Sequence, residues 1–394
     1  MKKIKVGIPL VKNSGWLGGY NYIINLLEAL DQIPNPEVEI VIFGSREIKD
    51  KLSIQFQKFT FQNISILTPL GFIYWTTKFI GKYIGNYNLH ELLLSALGIS
   101  VLAYSSPLGK LKKVATICWI PDFQHISLPT FFPKKEILKR NTLFKSYIKN
   151  STIILLSSNS ARNDLRKFSP KVIKNLRILK FVSCNSFKSE ILPFNKIKEK
   201  YDIPKLYFHL PNQFWKHKNH KLVAGAVKVL NDKNIHSNVV CTGNIHDYRN
   251  PEYFSSFLEL LKTFKVEKQF RILGVIPYEE MISLMYYSKA VINPSLFEGW
   301  STTVEESKIL NKRILLSDIP VHKEQNPQKG QFFNLSSTQE LAEKMEDCIK
   351  NSGYKSNHTK SDLIIKSNKK NILDFANNFQ NIALEAVKIL SKDS

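Results

Sequence analysis

Two glutamates, Glu298 and Glu306, stand with seven residues between them in the stretch NPSLFEGWSTTVEES at 293–307. The apolar run Ala290-Val291-Ile292 leads into it. Asn293-Pro294-Ser295, a glycine and three hydroxyl residues then precede a helix-forming segment. The pattern reads as strand, turn and helix N-terminus, with Glu298 before the helix and Glu306 in its first turns. Acids placed there serve as solvated caps, or they meet a ligand that carries hydroxyls and a phosphate. An ionised carboxylate accepts two hydroxyl hydrogen bonds at once, which fits a vicinal diol such as a ribose or a hexose edge. The helix after Gly299 is expected to offer unpaired backbone N–H groups at Trp300, Ser301 and Thr302, suited to a phosphate or a developing oxyanion.

Three further stretches bear residues that could do chemistry. In LPNQFWKHKNHKL, Lys216, Lys218, His217 and His220 gather at an expected helix start. Cations are disfavoured there by the helix dipole, so their presence suggests a bound anion, held jointly with backbone N–H groups. The i, i+3 histidines also permit a metal, although no third ligand is apparent. In SGWLGGYNYIINLL, Gly15, Gly18 and Gly19 follow a strand and precede a helix. They suit either a plain turn or close backbone approach to a phosphate or sugar; the G-x-G-x-x-G dinucleotide motif is absent. In CWIPDFQHISLP, Asp122 and His125 fall in a loop just after a buried strand. Functional side chains concentrate in such loops, although a lone histidine is more often structural.

The elements that must position these residues alternate. IKVGIPLV, EVEIVIFG, VLAYSS, VATICWIP and STIILLSS are short apolar runs separated by helical stretches. A second series follows: LYFHLPN, VVCTG, FRILG, AVINPS and RILLSDI. This is the signature of parallel βαβ units. A polar stretch at 185–204 divides the series, giving two doubly wound α/β domains whose strand ends carry the ligand sites. The expected boundaries are 1–190, 191–370 and a C-terminal amphipathic helix at 371–394 packing on the body. At 394 residues, 43% hydrophobic and 23% charged, the chain is globular and large enough for two cores. Four scattered cysteines without a C-x-x-C pair read as reduced thiols in a cytosolic protein. No signal peptide is read at the N-terminus. The uncharged run at 92–109 reads as a helix end and a strand in a core, since it carries four serines, two glycines and a proline.

The formal charge is +23, and residues 1–190 hold 27 Lys and Arg against 11 Asp and Glu. Between 110 and 188 the counts are 17 and 3. Such a field points to an anionic partner, namely nucleic acid, an acidic membrane or a phosphorylated substrate, or for any single lysine to an unspecific lysine-rich composition.

The glutamate stretch resembles the E-x7-E signature of retaining glycosyltransferases of the two-domain GT-B architecture, in particular glycosyltransferase family 4. PSLFEGWSTTVEE and LLSDIPVHKEQ are close to what bacterial members show. Lys218 matches the family's lysine in the pyrophosphate-contacting segment. Thr242-Gly243 and LGVIPYEEM, with Ile276, are similar to the segments flanking the nucleotide base. Gly18 and Gly19 match the N-terminal glycine loop, and IPDFQH is similar to the acceptor-side loop, with His125 as its active-site histidine. One position departs. Many members carry an arginine six residues before the lysine, where Asn212 stands here, followed by Gln213, and Lys216 is the candidate substitute.

The resemblance implies a GT-B fold, with two Rossmann-like domains facing a central cleft, and transfer of a sugar from a UDP- or GDP-linked donor with retention. Lys218 and the Gly299–Thr302 amides would stabilise the leaving diphosphate, Glu306 would hold the ribose, Glu298 would orient the sugar, and His125 would contact the sugar or place the acceptor. No cofactor beyond the donor is implied, and the absence of a D-x-D pair agrees with metal-independent chemistry. The acceptor would be a glycan or lipid-linked carrier in bacterial surface polysaccharide or lipopolysaccharide synthesis. The basic N-terminal half would then meet the anionic inner face of the cytoplasmic membrane, and YWTTKFIGKYIG at 74–85 either contributes to that contact or forms a helix packed against the core. Two other classes remain open. A non-catalytic sugar-nucleotide-binding protein is compatible with Asn212. A nucleic-acid binder would explain the charge but leaves the two glutamates facing phosphate, so no nucleic acid is expected.

Overall fold

The structure, a computed structural model, describes residues 3–11, 17–63, 76, 79, 88–105, 109–171, 175–184, 190–351 and 362–393. The chain divides into two compact units. The first comprises 1–123, 134–182 and 370–394; the second comprises 124–133 and 183–369.

In the first unit the described strands are β1 (Ile4–Pro9), β2 (Val38–Gly44), β3 (Thr60–Asn63), β4 (Ile99–Ala103), β5 (Ala115–Ile120), β6 (Ile153–Leu156) and β7 (Leu176–Ile178). They form one parallel sheet in the order β3-β2-β1-β4-β5-β6-β7. The second unit holds β8 (Phe208–Leu210), β9 (Val239–Cys241), β10 (Phe270–Ile272), β11 (Val291–Asn293), β12 (Ile314–Ser317) and β13 (Gly330–Phe333). Its parallel order is β10-β9-β8-β11-β12-β13.

All ten apolar runs form strands. The interior strands are buried without alternation: every residue of β6, β8, β9, β11 and β12 is buried. Helices therefore cover both faces, as a parallel sheet requires. In the second unit the amphipathic helix His220–Asp232 lays Leu222, Val223, Ala226, Val227 and Leu230 on one face, beside Leu341 and Met345 of the helix Thr338–Lys350. On the other face Ile282 and Met285 pack with Val291, Val304, Ile314 and Leu316. Serine caps start several helices; Ser158 and Ser337 accept from Ala161 N and Glu340 N at 2.9 and 3.1 Å, replacing partners the first turn lacks.

The polar stretch expected as a linker contains the helix Phe194–Tyr201, whose Ile197 is buried against Tyr207, Val240 and Leu284. The C-terminal helix runs from Asp362 to Asp393. Its residues Ile372, Phe375, Phe379 and Ala383 are buried. Gln380 Oε1 accepts from the backbone N–H groups of Glu37 and Val38 at 2.8 and 3.3 Å. The uncharged run at 92–109 splits, as expected, into the helix Asn88–Ala96 and β4, with 106–108 outside the described residues. Among the described residues no helix is long and apolar enough to cross a membrane.

Candidate functional site

In a sheet of order β10-β9-β8-β11-β12-β13, winding reverses between β8 and β11, and ligands of such sheets lie outside the carboxyl ends at that point. The chain leaving β8 is the lysine stretch, and the chain leaving β11 is the glutamate stretch. Topology alone therefore brings the two together.

After β8 the chain passes Asn212 and Gln213 and enters a 3-10 turn at Lys216–Lys218. Asn219, in the left-handed region at φ 56°, closes the turn, and the helix begins at His220. Asparagine tolerates that conformation better than most residues. The lysines thus precede the helix instead of lying in it. The two histidines face inward: His217 and His220 are buried. The His220 ring stacks on Phe214 with centroids 4.1 Å apart, and its Nε2 lies 3.2 Å from Asn212 O. Burial pushes its pKa down to about 3. That of His217 falls well below its ordinary value, first through burial and then through Lys218, Arg249 and His220. Both rings are neutral packing groups, so the expected gathering of four cationic side chains reduces to two lysines. Among the described residues no three His, Cys, Asp or Glu side chains are grouped so as to hold a metal ion.

Lys218 Nζ donates to Glu298 Oε1 across 2.6 Å, with both side chains largely buried. Leu296 N donates to His217 O at 2.8 Å, fastening the two loops through the backbone as well. Ser295 Oγ lies 2.7 Å from both Glu298 Oε1 and Asn293 Oδ1, with one proton to give to one of them. Ser317, at the end of β12, donates to Ser295 O at 2.6 Å, and His322 Nδ1 lies 2.9 Å from Ser317 O. Burial lowers the His322 pKa to about 4, although the Glu298 carboxylate pulls it upward. The Lys218–Glu298 pair is therefore surrounded by groups whose positions are themselves fixed.

The helix Thr302–Ile309 is capped by Ser301, whose side chain accepts from Val304 N at 3.4 Å. Gln325 holds the same residue from the other side. Its Oε1 takes Ser301 N at 3.2 Å, and its Nε2 gives to Ser301 O at 2.9 Å and to Glu305 Oε1 at 2.8 Å. This corrects one expectation: the Ser301 amide is occupied by a side chain, while Gly299 and Trp300 lie in the loop entering the helix and Thr302 is its first residue. Glu306 is buried one turn on and accepts from the Tyr278 hydroxyl at 2.9 Å. Burial raises its pKa to about 7, against the partial opposition of that hydrogen bond. At neutral pH the carboxyl is thus poised between its two forms, where an ionised group was expected.

Gly243 ends the turn after β9 at φ 133°. A Cβ there would lie 2.7 Å from Asn212 C and O and 2.8 Å from Gln213 N, so only glycine lets the two strand ends approach. Asn212 is buried, and its Nδ2 has no hydrogen-bond partner among the described residues, a costly state for a buried donor. Lys216 is exposed and places its ammonium 4.7 Å from the centre of the Phe131 ring. Ile276 is half-buried beside the cluster of Tyr207 and Leu284.

The structure thus unites Lys218 and Glu298, with Asn212, Gln213 and Gly243 at the adjoining strand ends and Glu306 in the following helix. Gly18 and Gly19 fall in the first unit, inside the opening turn of the helix Leu17–Asp31 and not before it; Gly15 lies outside the described residues. His125 sits in the short helix Gln124–Ser127, fully buried, with its ring edge-on to Phe132 at 6.4 Å, and groups with the second unit. Tyr278, Ser295, His322 and Gln325 lie in stretches quoted from the sequence but were not singled out there as site residues. Tyr278 and Gln325 carry no spacing signal, since their partners are 28 and 24 residues away.

Residues 193–370 match the model of the family described as glycosyl transferases group 1. No curated protein matches the sequence. Among solved structures, a glycosyltransferase from Rickettsia africae ESF-5 is similar over all of both chains, with 16% identity and a TM-score of 0.66. Anabaena HepE in complex with UDP-glucose is similar over 99% of this chain and 100% of that one, with 12% identity and a TM-score of 0.61. WaaG, a glycosyltransferase involved in lipopolysaccharide biosynthesis, is similar over 98% and 99%, with 12% identity and a TM-score of 0.57. These likenesses establish the fold as GT-B, with two Rossmann-like units.

Proposed function

We propose that this chain is a retaining glycosyltransferase that moves a sugar from a UDP- or GDP-linked donor to a glycan or lipid-linked acceptor. The observation that carries the reading is the Lys218–Glu298 pair, joined at 2.6 Å across 80 positions of sequence at the switch point of the second sheet. The family match over 193–370 covers this site. A diphosphate leaving group gains charge as its bond to the anomeric carbon breaks. A fixed ammonium in a largely buried position stabilises that charge more than it stabilises the ground state. Lys218 has three donor protons, and Glu298 engages one of them. Glu298 both orients the lysine and offers an acceptor to the sugar hydroxyls. Glu306, one turn into its helix, takes the ribose diol, with Tyr278 steadying the carboxyl. In this reading the charge opposite the diphosphate is supplied by lysine and amides, without a metal or further cofactor. His125 contacts the sugar or places the acceptor, and Gly18 and Gly19 belong to the donor-binding set, where glycine permits close backbone approach to a phosphate or sugar.

The acceptor side of the proposal rests on charge. On the helix Lys134–Asn150, Lys134, Lys135, Lys139, Lys145 and Lys149 are exposed, and Leu138 among them is 67% exposed. An apolar side chain ringed by ammonium groups suits an anionic membrane surface and a lipid-linked acceptor of surface polysaccharide or lipopolysaccharide synthesis, at the inner face of the cytoplasmic membrane. Most of the aromatic stretch 74–85 lies outside the described residues.

A thermal-shift series over nucleotides and nucleotide sugars tests the donor half of the reading. A ligand at about 100 times its dissociation constant stabilises by roughly 2.7 kcal/mol. A shift with one family of nucleoside diphosphates is expected, and no shift with any would remove the basis of the proposal.

A further inference from the structure

Arg249 has no part in the chemistry described above, yet it is among the most enclosed charges in the second unit. Its side chain is 3% exposed and that of its partner Asp247 is 1% exposed. A buried pair of this kind is costly unless further contacts hold it, and here hydrogen bonds and aromatic rings do so. Arg249 Nε and N donate to Asp247 Oδ1 at 3.2 and 3.1 Å, and Nη1 donates to Gln124 Oε1 at 3.0 Å. The planar guanidinium lies 4.6 Å from the Trp215 ring and 4.7 Å from the Phe132 ring. Asp247 uses its second oxygen to accept Lys216 N at 3.2 Å and Asn250 Nδ2 at 3.3 Å, and Asn250 Nδ2 also reaches Phe131 O at 3.5 Å.

These contacts converge on two turns. Trp215 and the Lys216 amide begin the 3-10 turn that ends in Lys218. Gln124 is the chain neighbour of His125, and Phe132 is the ring against which His125 packs. The segment 124–133 belongs with the second unit although the chain on both sides of it belongs to the first. We infer that Arg249 is a positioning residue that clamps the His125 turn to the Lys218 turn, so that the two groups are set as one assembly. This rests on the transferase reading for its catalytic consequence. Lysine could not replace it, because an ammonium lacks both the forked donors and the flat face that stacks between two rings.

The test compares Arg249→Gln, Arg249→Lys and the milder Gln124→Leu, which removes one clamp bond and leaves the Arg249–Asp247 pair intact. Amide hydrogen exchange over 124–133 should rise in all three, while exchange in β8 and β11 stays as in the parent. With a donor that the parent consumes, kcat should fall between about tenfold and a hundredfold in Arg249→Gln, as expected for a misplaced catalytic group, with the donor KM nearly unchanged. Arg249→Lys should recover little of this, and Gln124→Leu should show a smaller loss of the same kind. Unchanged exchange over 124–133 in Arg249→Gln, or full activity of Arg249→Lys, would overturn the clamp. So would a parallel loss of nucleotide binding and kcat, since Arg249 would then merely support the fold. Exchange needs no substrate: if the parent consumes no donor, the transferase reading falls by itself and exchange still decides the clamp.

Discussion

The Tyr278 hydroxyl meets Glu306 Oε1 across 2.9 Å in a place where burial has raised the carboxyl pKa to about 7. A group held this far above its ordinary value has consequences for stability and binding that differ in sign.

For stability, the folded pKa exceeds the unfolded one. The contribution of Glu306 is therefore fully present below about pH 4.5 and is lost as the pH rises through about 7. Glu306→Gln keeps the shape and an acceptor for Tyr278 but never ionises. The variant should be more stable than the parent at pH 8, on the order of 3 kcal/mol from the size of the shift, and nearly equal to it at pH 4. Chemical denaturation at both pH values checks this. A variant less stable than the parent at pH 8 would mean that the carboxylate is better solvated than its burial implies.

For binding, a ribose diol donating to the carboxylate favours the ionised form. Affinity for the nucleotide sugar should rise from pH 5.5 to 8 and level off above the free-state pKa, and binding near pH 7 should release a proton. Calorimetry in two buffers of different ionisation enthalpy measures that proton directly. Glu306→Gln should lose the pH dependence and roughly 1.5–3 kcal/mol of affinity. An affinity that does not change in the variant would place the ribose elsewhere.

Lys218→Ala should lower kcat more than donor affinity, because the diphosphate charge it faces grows toward the transition state. Lys216→Ala should do less. The Lys216 ammonium lies over the Phe131 ring, 4.7 Å from its centre, while Lys218 is bonded to Glu298. Equal losses in the two variants would show that Lys216 does the work of the arginine that Asn212 replaces.

The basic surface of the first half predicts salt-sensitive membrane binding. The protein should sediment with vesicles containing acidic lipids at low salt and be released as salt rises, since exposed charges are screened over about 10 Å at 0.1 M. Each lysine contributes at most about 1 kcal/mol. Lys139→Glu alone should thus do little, and a joint change at Lys134, Lys135 and Lys139 should do much. Absence from acidic vesicles at low salt would make a soluble acceptor the better reading.

Most strands that the sequence revealed lie inside a sheet and are buried on both faces, because an uninterrupted apolar run such as Ile153-Ile154-Leu155-Leu156 has few other uses; the exception is β10, an edge strand with Arg271 exposed. The three described strands it did not reveal, β3, β7 and β13, all lie at sheet edges. Thr60–Asn63 and Leu176–Ile178 contain no buried residue, and Gly330–Phe333 buries only Phe333. Covered on one side only, they need no apolar run. At the site, the lysine and glutamate stretches were legible because each follows a strand end, while the choice of Lys218 over Lys216 came from the family resemblance. The inward turn of His217 and His220 was not: it depends on Phe214, Tyr253 and Phe257, which enclose His220 from two elements. Nor was the capture of the Ser301 amide by Gln325, since nothing in a one-dimensional pattern links positions 24 apart.

The claim on which the rest depends is that the Lys218–Glu298 site breaks the bond between a sugar and a nucleoside diphosphate. Release of nucleoside diphosphate from a panel of UDP- and GDP-sugars, followed by mass spectrometry with water as the only acceptor, tests it directly. One donor should yield its nucleoside diphosphate slowly but above the protein-free rate, and Lys218→Ala should abolish that release while still binding the nucleotide. Nucleotide binding without release from any donor, or release undiminished in Lys218→Ala, would contradict the account.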